Sequence, residues 1–136
     1  MHRLFLIVAV VLLALGVVLG AFGAHGLKQI LPAESLTSYE TGIRYHFYHG
    51  FAILITGILY ERFRTKWVVY AGYSFILGLL FFCGSLYLLT FLKATNTVGL
   101  SGIGIVTPIG GLFFVAGWVM LLIAFINRSP SPLKSI

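Results

Sequence analysis

Three histidines are the residues in this sequence whose type and spacing could do chemistry: His25, His46 and His49. His46 and His49 stand three apart, so on a helix they are neighbours on one face. His25 closes the first apolar run, and a short connection would return the chain beside that face. Neutral imidazole binds zinc, copper or haem iron and titrates near neutral pH. Three converging rings could therefore hold a metal or haem, contact a quinone headgroup, or pass protons. The opposing account puts them at the membrane interface, bonding carbonyls left open where helices end. No carboxylate or thiolate accompanies them, which favours the structural account. The expectation is no metal and no cofactor, with His25, His46 and His49 as the candidates if a small ligand binds.

Other catalytic sets are weaker still. Cys83 is the single cysteine and lies in an apolar run, where it reads as a small packing residue. Glu34, Glu40 and Glu61 are the only carboxylates, and all fall at the edges of apolar runs. A pump or carrier built on a buried acid is disfavoured by that placement. No serine or cysteine has the local context of a nucleophile. Gly102-x-Gly104 precedes no lysine and is not a phosphate loop. These observations point away from an enzyme.

The elements that must position the histidines are transmembrane helices. Of 136 residues 60% are hydrophobic and 9% charged, far below the roughly 25% charged of a soluble domain. The net charge of +6 would ordinarily suggest nucleic acid. Here the basic residues sit in short loops between apolar runs, not on one face, so a nucleic-acid partner is excluded. One all-α domain covering residues 1–136 is expected, a four-helix bundle with spans at about residues 4–24, 43–60, 67–92 and 108–127. Each approaches the roughly 20 residues that cross a bilayer core. The first run exceeds the 7 to 15 or so apolar residues of a signal peptide and reads as a retained span.

Between spans one and two, Leu31-Pro32 with Glu34 starts a short interfacial helix that continues into span two, with a bend at Gly42. Glu40 and Arg44 stand at the favourable i,i+4 spacing. On span two, His46, His49, Gly50, Ile53, Gly57 and Tyr60 share an inward side, and Phe47, Phe51, Leu54, Ile55 and Ile58 a lipid side. In span three, Trp67, Tyr70 and Tyr73 mark one interface and Tyr87 with Lys93 the other. Residues 94–106 are rich in Gly and Thr yet apolar, and a re-entrant segment is one reading. Thr107-Pro108 reads as an N-cap and first helical residue. Small residues that let helices approach are Gly16, Gly20, Ala24, Gly50, Gly57, Gly110 and Gly117. In span four, Gly110, Phe114, Gly117, Leu121 and Ala124 form one stripe.

An even number of spans places Arg3, Arg62, Arg64, Lys66, Arg128 and Lys134 on one side and Lys28, Arg44 and Lys93 on the other. Short basic loops stay in the cytoplasm, so both termini are expected there.

The motifs along the chain resemble one family. They are residues 19–27 (LGAFGAHGL), residues 39–42 (YETG) with Arg44-Tyr45-His46-Phe47-Tyr48-His49, residues 83–89 (CGSLYLL), and residues 107–111 (TPIGG) with Gly117-Trp118. Together they resemble the small four-span membrane proteins called domain of unknown function 423, which includes transmembrane protein 256 of animals. The resemblance covers nearly the whole chain in order. It implies a bacterial or mitochondrial membrane, glutamine in many relatives where His46 stands, and often serine where Cys83 stands. It implies no reaction. The functional expectation is a non-enzymatic accessory or assembly subunit, embedded in the lipid bilayer beside other membrane subunits or copies of itself. The alternative is a transport or cofactor-site protein using the histidines at the outward end.

Overall fold

The computed structural model describes residues 1–96 and 102–127. The described residues are helical, with no strand among them. Helix α1 (Arg3–His25) ends in a 3-10 turn, Leu27–Gln29. Helix α2 (Ala33–Leu59) follows Pro32, whose extended ψ of 152° brings the chain out of the loop. Helix α3 (Lys66–Gly78) passes through a π-helical turn, Leu79–Cys83, directly into α4 (Gly84–Ala94), forming one long rod. Helix α5 (Ile103–Ile126) closes the bundle. α1 packs along α2, α5 along α3, and α2 joins the two pairs through the rod.

Three helices are long and apolar enough to cross a membrane: Arg3–Gln29, Lys66–Ala94 and Ile103–Ile126. α2 is longer, 27 residues, or roughly 40 Å at 1.5 Å per residue. It stands apart because Glu34, Glu40, Arg44 and two inward histidines dilute its hydropathy. Its sides divide as the periodicity predicts. His46, His49, Gly50, Ile53 and Gly57 are buried, whereas Phe51, Ile55 and Ile58 are at least half exposed.

The helix that starts after Pro32 runs on into span two as expected, since α2 is one helix from Ala33 through Gly42. Several local expectations are corrected. Gly42 is a packing residue, its hydrogen facing the Tyr87 ring. Arg44 donates to Thr41 Oγ1 at 3.2 Å rather than reaching Glu40. Thr107 and Pro108 lie inside α5, not at its start. Apolar residues from Ile103 onward gain a helical turn in lipid, where an unpaired backbone is expensive. The proline removes only one bond close to an end that lacks partners anyway. Ala94 thus ends α4 and Val106 lies in α5, while the middle of the re-entrant candidate, 97–101, falls outside the described residues, as does the tail carrying Arg128 and Lys134.

Lipid tails are as apolar as leucine, so membrane helices are not driven together by the hydrophobic effect but by close packing and hydrogen bonds. Here close packing means aromatic rings seated over glycines. Phe75 of α3 lies over Gly117 of α5, and Phe114 of α5 lies over Gly78 of α3. Each helix thus carries Phe-x-x-Gly, and antiparallel pairing makes the contact reciprocal. Phe5 fits against Gly72, and Tyr39 against Gly23. Phe5, Phe75 and Phe114 are at most 3% exposed. At Gly110 the neighbour is the backbone of Phe82 itself, inside the π turn.

Of the expected packing residues, Gly16, Gly50, Gly57, Gly110 and Gly117 are buried and Gly20 is half-buried. Ala24 is exposed, and Gly23 takes its place. The inward stripe of α1 follows Gly16 and Gly23, seven apart, rather than a small-x-x-x-small ladder.

Candidate functional site

Antiparallel pairing of α1 and α2 fixes where each histidine falls. His46 lies well inside α2, and opposite it stands Leu12. His25 is 13 residues further along α1, roughly 20 Å away. The three rings therefore do not converge. His25 is exposed and donates from Nδ1 to the Ala21 carbonyl of its own last turn at 3.0 Å.

His46 fastens three helices. Its Nε2 lies 2.8 Å from the Leu12 carbonyl of α1, and its Nδ1 lies 3.0 Å from the Tyr87 hydroxyl of α4. A carbonyl only accepts, so Nε2 carries the hydrogen; in the neutral ring Nδ1 then accepts from the Tyr87 O–H. Tyr39, two turns along α2, gives its hydroxyl to the Leu19 carbonyl at 2.7 Å. Two α1 carbonyls are thus tied to α2 from side chains of α2.

His49 faces the other pair of helices. Its ring stacks on Phe114 with centroids 3.4 Å apart and planes at 8°. Nδ1 donates to the Tyr45 carbonyl at 3.0 Å, and Nε2 accepts from Trp118 Nε1–H at 3.3 Å. The indole nitrogen only donates, so His49 is held as the Nδ1–H tautomer. The two histidines, three apart on the inward side of α2, are held as opposite tautomers against different helices. With both nitrogens of both rings engaged, binding a metal would first require breaking a bond between helices. Among the described residues no three His, Cys, Asp or Glu side chains cluster as metal ligands would.

Sequence reasoning missed the partners Tyr87, Tyr39 and Trp118. Tyr87 was expected to mark the membrane surface; instead its hydroxyl turns inward. The signal was available in spacing, because Cys83, Tyr87 and Thr90 share one stripe of the rod. Beside His46, Tyr87 and Cys83 an apolar cleft of about 310 Å³ opens between α1 and the rod. A second hydroxyl relay sits at the π turn. Gly84 N–H reaches back five residues to the Leu79 carbonyl. Ser85 donates to the Phe82 carbonyl at 2.9 Å and stands 2.6 Å from Thr107 Oγ1 of α5. The serine hydrogen is spent on the carbonyl, so Thr107 is the donor in that pair.

This geometry defines an all-helical membrane protein whose buried polar side chains bind its helices to one another. A family model described as "Protein of unknown function (DUF423)" matches residues 19–111, and the chain belongs to that family. It is 38% identical over 122 residues to a UPF0382 membrane protein of Staphylococcus haemolyticus, covering 90% of this chain and 94% of the relative. It is 34% identical over 126 residues to the UPF0382 membrane protein YwdK of Bacillus subtilis, covering 92% and 98%. The UPF0382 inner membrane protein YgdD of Escherichia coli is 35% identical over 125 residues, covering 92% and 91%. No solved structure matches the chain significantly.

Proposed function

We propose that this chain is a non-enzymatic, four-span membrane protein serving as an accessory or assembly subunit of a larger membrane complex. One observation carries the reading: the buried imidazoles are consumed in holding helices together, while the outward faces stay wide and apolar. Val18 of α1 is 65% exposed and Leu112 of α5 is 70% exposed. Such a molecule offers surfaces rather than reacting groups. α2 is the fourth span in this reading. Its carboxylates gather in its first turns, leaving about residues 43–60 as the span. Four spans put both termini on the side of Arg3, Arg62, Arg64 and Lys66, which is the cytoplasm. A relative named as an inner membrane protein supports that membrane. Extraction in a gentle detergent followed by quantitative mass spectrometry tests the proposal: partner subunits, or further copies of the chain, should copurify in fixed ratio. A chain that runs alone in every preparation overturns it.

The second reading, a transport or cofactor-site protein, is favoured by one contact. Tyr87 O–H can rotate, so it can give or take a hydrogen bond at His46 Nδ1, as a proton-passing pair requires. This reading requires haem, quinone or metal in the purified protein, or a functional defect in His46→Ala and His49→Ala. Normal behaviour of both variants with a blank elemental and pigment analysis ends it.

A further inference from the structure

α1 and the α3–α4 rod both lean on α2 and meet where Phe5 sits over Gly72, but from Val8 onward a gap lined by both separates them. Val8, Leu15 and Phe22 of α1, at steps of seven, face Leu80, Tyr87 and Ala94 of the rod, also at steps of seven. Tyr87 lines the gap on the rod side, held by His46. Gly84 leaves the gap wider still, since a Cβ there would meet nothing within 4 Å. The result is a groove of two neighbouring clefts of about 350 and 310 Å³, both lined by Tyr87 and walled almost entirely by apolar atoms. From Val8 to Phe22 it runs roughly 21 Å at 1.5 Å per residue. One bilayer leaflet is about 15 Å deep, half the core, so the groove takes a whole acyl chain.

Its outer end is chemically different. Ile30 and Ala94 also line the neighbouring cleft, of about 560 Å³, which carries Glu34, Ser35, Lys93 and Asn96. The cleft thus carries one carboxylate and one ammonium, and among the described residues these two form no ion pair with each other. A site with separate charges of both signs is complementary to a group that also carries both. The continuing apolar groove asks for a hydrocarbon chain attached to that group.

We propose that this groove seats one phospholipid with a zwitterionic phosphate–ammonium head. The phosphate meets Lys93, the ammonium meets Glu34, and one acyl chain lies between α1 and the rod past Phe22 and Tyr87. The seat is a property of the single chain and stands apart from any partner-binding role.

The test uses the purified full chain in nanodiscs of equal phosphatidylethanolamine and phosphatidylglycerol with identical acyl chains, followed by native mass spectrometry. One phosphatidylethanolamine should be retained per chain, in preference to phosphatidylglycerol by about tenfold. Gly84→Leu puts a side chain into the groove at a position where an added Cβ meets nothing within 4 Å, and should lower retention by a similar factor. Lys93→Gln, at an exposed site, should weaken retention, and Glu34→Gln should abolish the preference between the two lipids. Equal retention of both lipids by the unaltered chain overturns the proposal. So does unchanged retention in Gly84→Leu, or a second copy of the chain in place of lipid. Because the readout is lipid mass on the isolated chain, a negative result leaves the accessory-subunit reading untouched, and the converse also holds.

Discussion

The α3–α5 seam and the α1–rod gap are built from similar residues, yet one is closed and the other open. Along the seam each large ring meets a glycine: Phe75 over Gly117, Phe114 over Gly78, and the Phe82 backbone over Gly110. From Val8 to Phe22 the walls of the gap are large apolar side chains, Leu15, Phe22, Leu80 and Phe91 among them, and its lining glycine, Gly84, has no ring to receive. Where lipid is the solvent, apolar surface alone gives helices no reason to touch. Dispersion between close atoms does, and it fades within an ångström of separation. Complementary size, not hydrophobicity, therefore decides which faces meet. The histidines follow the same division. His49 is sandwiched in the closed seam against Phe114 and Trp118, while His46 stands at the floor of the open gap, supported by Tyr87.

The comparison breaks most visibly at its glycines. In Gly110→Leu the new side chain collides with backbone, which cannot rotate away, so helix α5 must shift from the π turn. A loss of about 3 kcal/mol or more is expected, read as a lower unfolding midpoint by circular dichroism in mixed detergent. Gly84→Leu should change stability by less than about 1 kcal/mol, with helix propensity favouring leucine. Equal losses in the two variants would mean that the gap is closed in the membrane and that the two regions do not differ.

Next in size are the variants of His46. Alanine leaves the Tyr87 hydroxyl without its acceptor and withdraws the donor from Leu12, with an expected loss of about 1–2 kcal/mol. Glutamine has what the geometry asks for: an amide N–H₂ to give to the Leu12 carbonyl and an oxygen to receive Tyr87. His46→Gln should therefore recover most of the loss. At His49 glutamine should not rescue, because it lacks the ring that stacks on Phe114. The emission of Trp118 should shift in His49→Gln and stay unmoved in His46→Gln.

Most of the fold was legible because apolar runs and inward stripes are local properties. The stripe Gly110, Phe114, Gly117, Leu121 and Ala124 is buried as read, and so is the inward side of α2. What stayed hidden depends on pairing between segments. Nothing local says that Leu12, rather than His25, stands opposite His46; that follows from the depth at which α2 begins to pack on α1. The π turn was equally invisible, since a single additional residue per turn leaves hydropathy unchanged. Tyr87 was misplaced for a related reason: tyrosine is common at membrane surfaces, and only its neighbour reveals that this one turns inward. Proline misled at Pro108 because a helix start is its commonest place, although the second turn of α5 tolerates it.

The smallest effect concerns how that π turn is held. Ser85 answers the Phe82 carbonyl, and Thr107 completes Ser85 from the facing helix. Ser85→Ala removes both bonds, yet hydrogen bonds between membrane helices average only about 0.6 kcal/mol, so a loss near that value is expected. Thr107→Ala should cost less, because Ser85 keeps its carbonyl. With Ser85 already alanine, the threonine substitution should cost nothing further, since the bond it removes no longer exists. That non-additivity is the signature of a relay. Additive losses would mean that the hydroxyls act separately and that the Gly110 contact alone pins the turn, leaving the seam closed by packing without any polar help.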